Sequence, residues 1–107
     1  MTTALTTFPL PDLASQISYS PDKFQSQILL NSPDQKTILF AFDQGQELKT
    51  HTTPKDALLL VLEGSCYFLF PEEEKSQTLQ AGQIIRIPAQ VPHALKALSP
   101  FKMVLIK

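Results

Sequence analysis

Tryptophan is absent from this chain, cysteine occurs once, histidine twice and glycine three times. Each scarcity excludes something. A single cysteine, Cys66, forms no internal disulfide, and with no cationic neighbour in sequence to activate its thiol it reads as a small buried apolar side chain. Nine basic and ten acidic residues are mixed along 107 positions for a net charge of −1, so no basic stripe is offered to nucleic acid or to an anionic membrane. No apolar run approaches the roughly 20 residues of a membrane span. The opening MTTALTTFPLPDLASQ has neither the cationic start nor the apolar core of a secretory signal. A soluble cytoplasmic protein is expected, with no nucleic-acid or membrane partner. At this length one domain buries about two thirds of its unfolded surface, a sufficient core without a structural metal.

The scarce residues are concentrated. Both histidines, His51 and His93, and all three glycines fall within Gly45–Gly64 (GQELKTHTTPKDALLLVLEG) and Gly82–His93 (GQIIRIPAQVPH). Residues 1–23, rich in Ser, Thr and Pro, read as an arm, since Pro9, Pro11 and Pro21 interrupt helix and central strand. Its apolar Leu5, Phe8, Leu10, Leu13 and Ile17 imply that it lies on a surface. From Phe24 onward, within a domain spanning 24–107, short apolar runs alternate with turn signals: FQSQILL, the turn NSPDQ, then KTILFAF. Thr53, Pro54, Asp56 and Gly64 would also cap a short helix, but ALLLVL has no polar face and runs into the strand-favouring CYFLF. The two runs are expected to form a hairpin turning at Glu63, Gly64 and Ser65. PEEEKSQ reads as a solvated turn, and strands follow in QIIRIP and around 93–97 and 102–106. The chain is expected to be all-β, with about eight to ten strands in a sandwich or barrel.

The glycine and histidine spacings resemble those of the cupin superfamily, small jelly-roll β-barrels also described as double-stranded β-helices. Its first motif is G-x5-H-x-H-x3,4-E-x6-G, and Gly45, His51 and Gly64 stand at three of its positions. The second, G-x5-P-x-G-x2-H-x3-N, is met by Gly82, Pro88 and His93. Thr53 replaces the second histidine, Ala57 the glutamate, Gln90 the second glycine and Ala97 the asparagine. In particular the chain resembles small single-domain RmlC-like cupins of the cupin 2 conserved-barrel type, many with no assigned activity. In metal-binding members the motif histidines and glutamate hold one divalent ion inside the barrel. The resemblance carries over only His51 and His93 as metal ligands, for zinc, iron, manganese, nickel or copper. Two imidazoles fall short of the three protein ligands of a catalytic zinc site or of two histidines and a carboxylate for iron.

With His51 and position 57 pointing inward, strand alternation places Leu59, Val61, Phe68 and Phe70 inside and gives Glu47 the same facing as His51. The expected pocket is apolar, lined by His51, Thr53, Phe68 and His93, with Gln44 or Arg86 as further polar candidates. The opposite parity leaves Leu58, Leu60, Tyr67 and Leu69 as an outward stripe for a second subunit, predicting a homodimer. Three functions follow. The first is a barrel binding a small organic molecule, the second a metal-assisted oxygenase or isomerase with His51 and His93 as incomplete ligands, and the third a non-catalytic homodimeric interaction module. Enzymatic activity, the substrate and the catalytic residues are left open by the residues.

Overall fold

The computed structural model describes Pro9 and residues 12–107, so Leu5, Phe8 and Leu10 of the expected arm lie outside the described residues. Nine strands follow in order: β1 (Gln25–Asn31), β2 (Lys36–Phe42), β3 (Glu47–His51), β4 (Ala57–Glu63), β5 (Ser65–Phe70), β6 (Lys75–Gln80), β7 (Ile84–Ile87), β8 (His93–Ala97) and β9 (Phe101–Ile106). Every pairing is antiparallel. They form a five-stranded sheet, β1-β2-β9-β4-β7, and a four-stranded sheet, β3-β8-β5-β6. The all-β expectation holds. No helix among the described residues is long and apolar enough to cross a membrane.

Strand alternation explains the layering. In β2, Ile38, Phe40 and Phe42 join the cluster between the sheets, while Leu39 and Ala41 belong to a second cluster on the outer face. Leu59, Val61, Cys66, Phe68, Phe101 and Met103 fill the interior, each at most 1% exposed. The outer cluster is roofed by residues of the arm, Leu13, Ile17 and Tyr19, packed against Leu29, Leu39, Ala41 and Val104. Lys102 fastens that roof. Its buried ammonium donates to the Ala14 carbonyl at 2.6 Å, lies 3.6 Å from the Glu63 carboxylate and stands 4.8 Å from the centre of the Tyr19 ring.

Two expectations are corrected. β4 and β5 do not pair as a hairpin: β4 bonds to β7 and β9, and β5 to β6 and β8. Gly64 is instead a corner where the chain passes from one sheet to the other. Its φ is +75°, and a Cβ there would lie 1.8 Å from the Pro100 carbonyl oxygen, so glycine is required by conformation and by space. This corner also divides the expected outward stripe. Leu58 and Leu60 lie on the five-stranded sheet, and Tyr67 and Leu69 on the four-stranded one.

The sandwich has two unlike ends. At one, Phe42 pairs in register with Phe101, and Phe24 stacks on Phe42 with ring centres 4.7 Å apart. The chain then turns through 43–46 into β3, which carries it back to the other end at His51. There β2 starts at Lys36, β9 finishes and β8 starts at His93.

Candidate functional site

A bulge brings the two histidines together. Leu48 pairs with Leu95 and His51 with His93, so three steps along β3 match two along β8. Leu48 and Leu95 face the interior, and the additional residue restores His51 to that face beside His93. The ring centres lie 4.3 Å apart. Glu47, paired with Lys96 and exposed, falls on the opposite face from His51, contrary to the expectation from unbroken alternation.

Each imidazole is held in the same way. His51 Nδ1 lies 2.9 Å from the Lys49 carbonyl and His93 Nδ1 2.9 Å from the Val91 carbonyl, in each case two residues back. A carbonyl only accepts, so both Nδ1 atoms carry the proton and both Nε2 atoms present a lone pair. His93 is 3% exposed and stacks on Phe68 with ring centres 5.9 Å apart and planes 9° from parallel. Burial holds its pKa below the ordinary imidazole value; the Val91 carbonyl opposes that shift, and the charges of His51 and Lys107 add to it. Among the described residues no buried side-chain nitrogen or oxygen lacks a partner, and His93 Nε2 bonds nothing within the chain. That atom is therefore the part of the ring reachable from outside.

The other expected residues divide. Phe68 and Phe70 stand edge to face with centres 5.2 Å apart, Phe68 fully buried and Phe70 half-buried at the margin of the core. Thr53 is buried, but its hydroxyl donates to the Lys55 carbonyl at 2.9 Å and its own carbonyl accepts from Gln90, so it shapes the β3–β4 connection. It lines a cleft of about 220 Å³ together with Asn31, Lys36, Lys55 and Lys107. Gln44 is exposed, and Arg86 points outward, 3.4 Å from Asp56. Cys66 is buried in the interior, where burial pushes its thiol pKa up to about 12 and keeps it protonated.

The metal set expected of a cupin is not assembled. No group of three or more His, Cys, Asp or Glu side chains converges among the described residues. Ala57, buried at the inner start of β4, supplies no donor atom, and the Thr53 hydroxyl is committed to a backbone carbonyl. The two Nε2 atoms are the pair of nitrogen donors here, short of a closed or catalytic protein site.

An antiparallel sandwich with two inward histidines at one end defines the class, and comparison with known proteins gives the family. Residues 38–107 match the cupin 2 model of the cupin domain, and the chain belongs to that family. A cupin superfamily protein from Desulfitobacterium hafniense is 28% identical and superposes with a TM-score of 0.87, over 95% of this chain and 91% of that one. A conserved protein of unknown function from Streptococcus pyogenes is 28% identical, with a TM-score of 0.84 over 97% and 92%. A cupin 2 conserved barrel domain protein from Leptotrichia buccalis is 32% identical, with a TM-score of 0.82, over 88% of this chain but 45% of its own length. No curated protein sequence matches the chain.

Proposed function

We propose that this cupin barrel holds a small organic molecule at its histidine end. The observation that carries the reading is the pair of imidazoles, 4.3 Å apart at one end of the sandwich and each anchored through Nδ1, which leaves both Nε2 lone pairs available to a bound molecule. A mostly apolar pocket with a few convergent polar groups is the usual form of a ligand site. Two neighbouring acceptors favour a molecule that carries hydroxyl or N–H groups, with Phe68 and Phe70 as the wall for its apolar part. Such a pair also accepts a proton from a bound molecule, the chemistry that an enzyme on this scaffold would use. The test is ligand screening by NMR on protein with labelled histidine, following the Cε1–H signals of His51 and His93. Compounds with hydroxyl or N–H donors should move both signals together, and His93→Ala should abolish the response. A library in which no compound moves either signal would contradict the reading.

Self-association belongs to the same proposal. Leu58 is 40% and Ile84 57% exposed, and with Leu60 they share the outward side of β4 and of the edge strand β7. Light scattering should report a dimer at micromolar concentration that Ile84→Glu dissociates. A monomeric parent chain would remove this part of the proposal.

A further inference from the structure

The histidine end carries a second set of groups that the reading above does not use. Lys36 and Lys107 exchange both backbone hydrogen bonds, Lys36 N to Lys107 O at 2.6 Å and Lys107 N to Lys36 O at 2.8 Å, extending the β2–β9 ladder by one pair. Residues directly opposite in such a pair put their side chains on the same face. Alternation identifies that face. Ile38 and Leu105, the next residues of the same parity, pair with one another and belong to the interior cluster, whereas Thr37 and Ile106 form the outward pair between. Both lysines are therefore on the inward parity, at the end where β3 delivers His51 and β8 starts at His93. The charge of Lys107 is close enough to act on His93. Lys36, Lys107 and the buried Thr53 line one cleft of about 220 Å³ whose lining includes neither histidine, so a molecule held there must extend beyond the cleft to reach the rings.

Like charges directly opposite on a strand pair, as the backbone pairing of Lys36 and Lys107 places them, destabilise the ladder unless an anion lies nearby. Among the described residues neither takes part in an ion pair. The third lysine of the cleft is committed elsewhere, since Lys55 donates to the Asp34 carbonyl at 2.7 Å. The chain as a whole is almost neutral, so this pair is a local feature and not part of a basic surface.

Resting on the reading of the pocket given above, we infer that its ligand is a small organic acid. Its carboxylate is held at the mouth by Lys36 and Lys107, and a hydroxyl further along the molecule donates to His51 and His93. The division of labour follows from the groups. Lone pairs on Nε2 repel an anionic oxygen and accept from a hydroxyl, while ammonium groups only donate and bond most strongly to the anionic oxygen. A phosphate is a poorer fit than a carboxylate, because its oxygens need several donors and the interior beyond the lysines offers acceptors and hydrocarbon.

The experiment uses two matched probe sets, 4-hydroxybenzoate with 4-hydroxybenzamide and 6-hydroxyhexanoate with 6-hydroxyhexanamide. Each is titrated into the full chain at low ionic strength with the His51 and His93 signals as readout. In at least one set the acid should bind about tenfold or more tightly than its amide, the weight of one well-placed charge-assisted contact. The Lys36→Gln/Lys107→Gln variant should bind acid and amide alike. The same substitutions should raise the melting temperature of the ligand-free protein by removing the repulsion, which also verifies that the variant folds. An amide that binds as well as its acid, or acid binding undiminished in the double variant, would overturn the inference and leave the pocket reading standing. Silence of both histidine signals toward all four probes would overturn the inference, while the wider library decides the pocket itself.

Discussion

His51 faces His93 only because β3 holds one residue more than β8 between its Leu48–Leu95 pair and the histidine pair. In a regular strand residues 48 and 51 point to opposite faces, and with Leu48 inside His51 would lie outside together with Glu47 and Lys49. Deleting Thr50 should therefore remove the bulge yet leave His51 two steps from Leu48, on the same inward face and in register with His93. The expected result is a folded protein that keeps the His51–His93 nuclear Overhauser contacts. Loss of those contacts in a folded variant would mean that the bulge does more than restore the facing of the ring.

Burial of His93 gives stability a direction with pH. Its folded pKa lies below the ordinary imidazole value of about 6.5, so on acidification the unfolded chain takes up the proton first. The contribution of the neutral buried ring is complete above that value and is lost as pH falls from about 6.5 toward the folded pKa. Urea midpoints should decline over that window more steeply in the parent chain than in His93→Gln. Equal slopes would contradict the assignment.

The Gly64 corner admits no side chain. Gly64→Ala must place a Cβ against the Pro100 carbonyl and force a positive φ on alanine, and should cost about 3 kcal/mol in equilibrium unfolding, within the range for strained or overpacked core sites. A cost below about 1 kcal/mol would show that the 98–101 turn yields, at the level of an ordinary surface substitution.

Lys102 ties the segment at 13–19 to the sheet. It is 8% exposed, and Lys102→Ala deprives the Glu63 carboxylate and the Ala14 carbonyl of their cation while opening the packing around Tyr19. About 2–3 kcal/mol should be lost, with a larger loss than for Glu63→Gln, because the variant breaks three contacts at once. Limited proteolysis should find new cleavage near residues 13–19 before the core unfolds. Unchanged stability and protection would show that apolar packing alone holds the segment.

The interior was legible in the chain because period-two alternation in KTILFAF, ALLLVL and CYFLF survives folding, placing Phe40, Leu59 and Phe68 inward. That His51 and His93 share one end of the barrel was implied by the resemblance of the segments around them to the two cupin motifs. Other features were hidden for physical reasons. A bulge inserts a residue without any compositional signal, so the facing of Glu47 was misjudged. Gly64 has the same sequence appearance in a hairpin as in a corner between sheets, and only the approach of Pro100, 36 positions later by the numbering, separates the two. Thr53 occupies a motif position, but the i+2 carbonyl takes its hydroxyl, a local bond that side-chain type alone does not announce. Lys36 and Lys107 are far apart in sequence, and the β2–β9 register is what makes them neighbours.

The claim on which the proposed function depends is that His51 and His93 present two unprotonated Nε2 atoms to the pocket. A long-range proton–nitrogen correlation spectrum of histidine-labelled protein at pH 8 reads this directly. Both rings should show the Nδ1–H form, each with an Nε2 shift of a bare acceptor that moves when a hydroxyl-bearing ligand is added. An Nε2–H form on either ring would contradict the anchoring through Lys49 and Val91 and remove the paired acceptors.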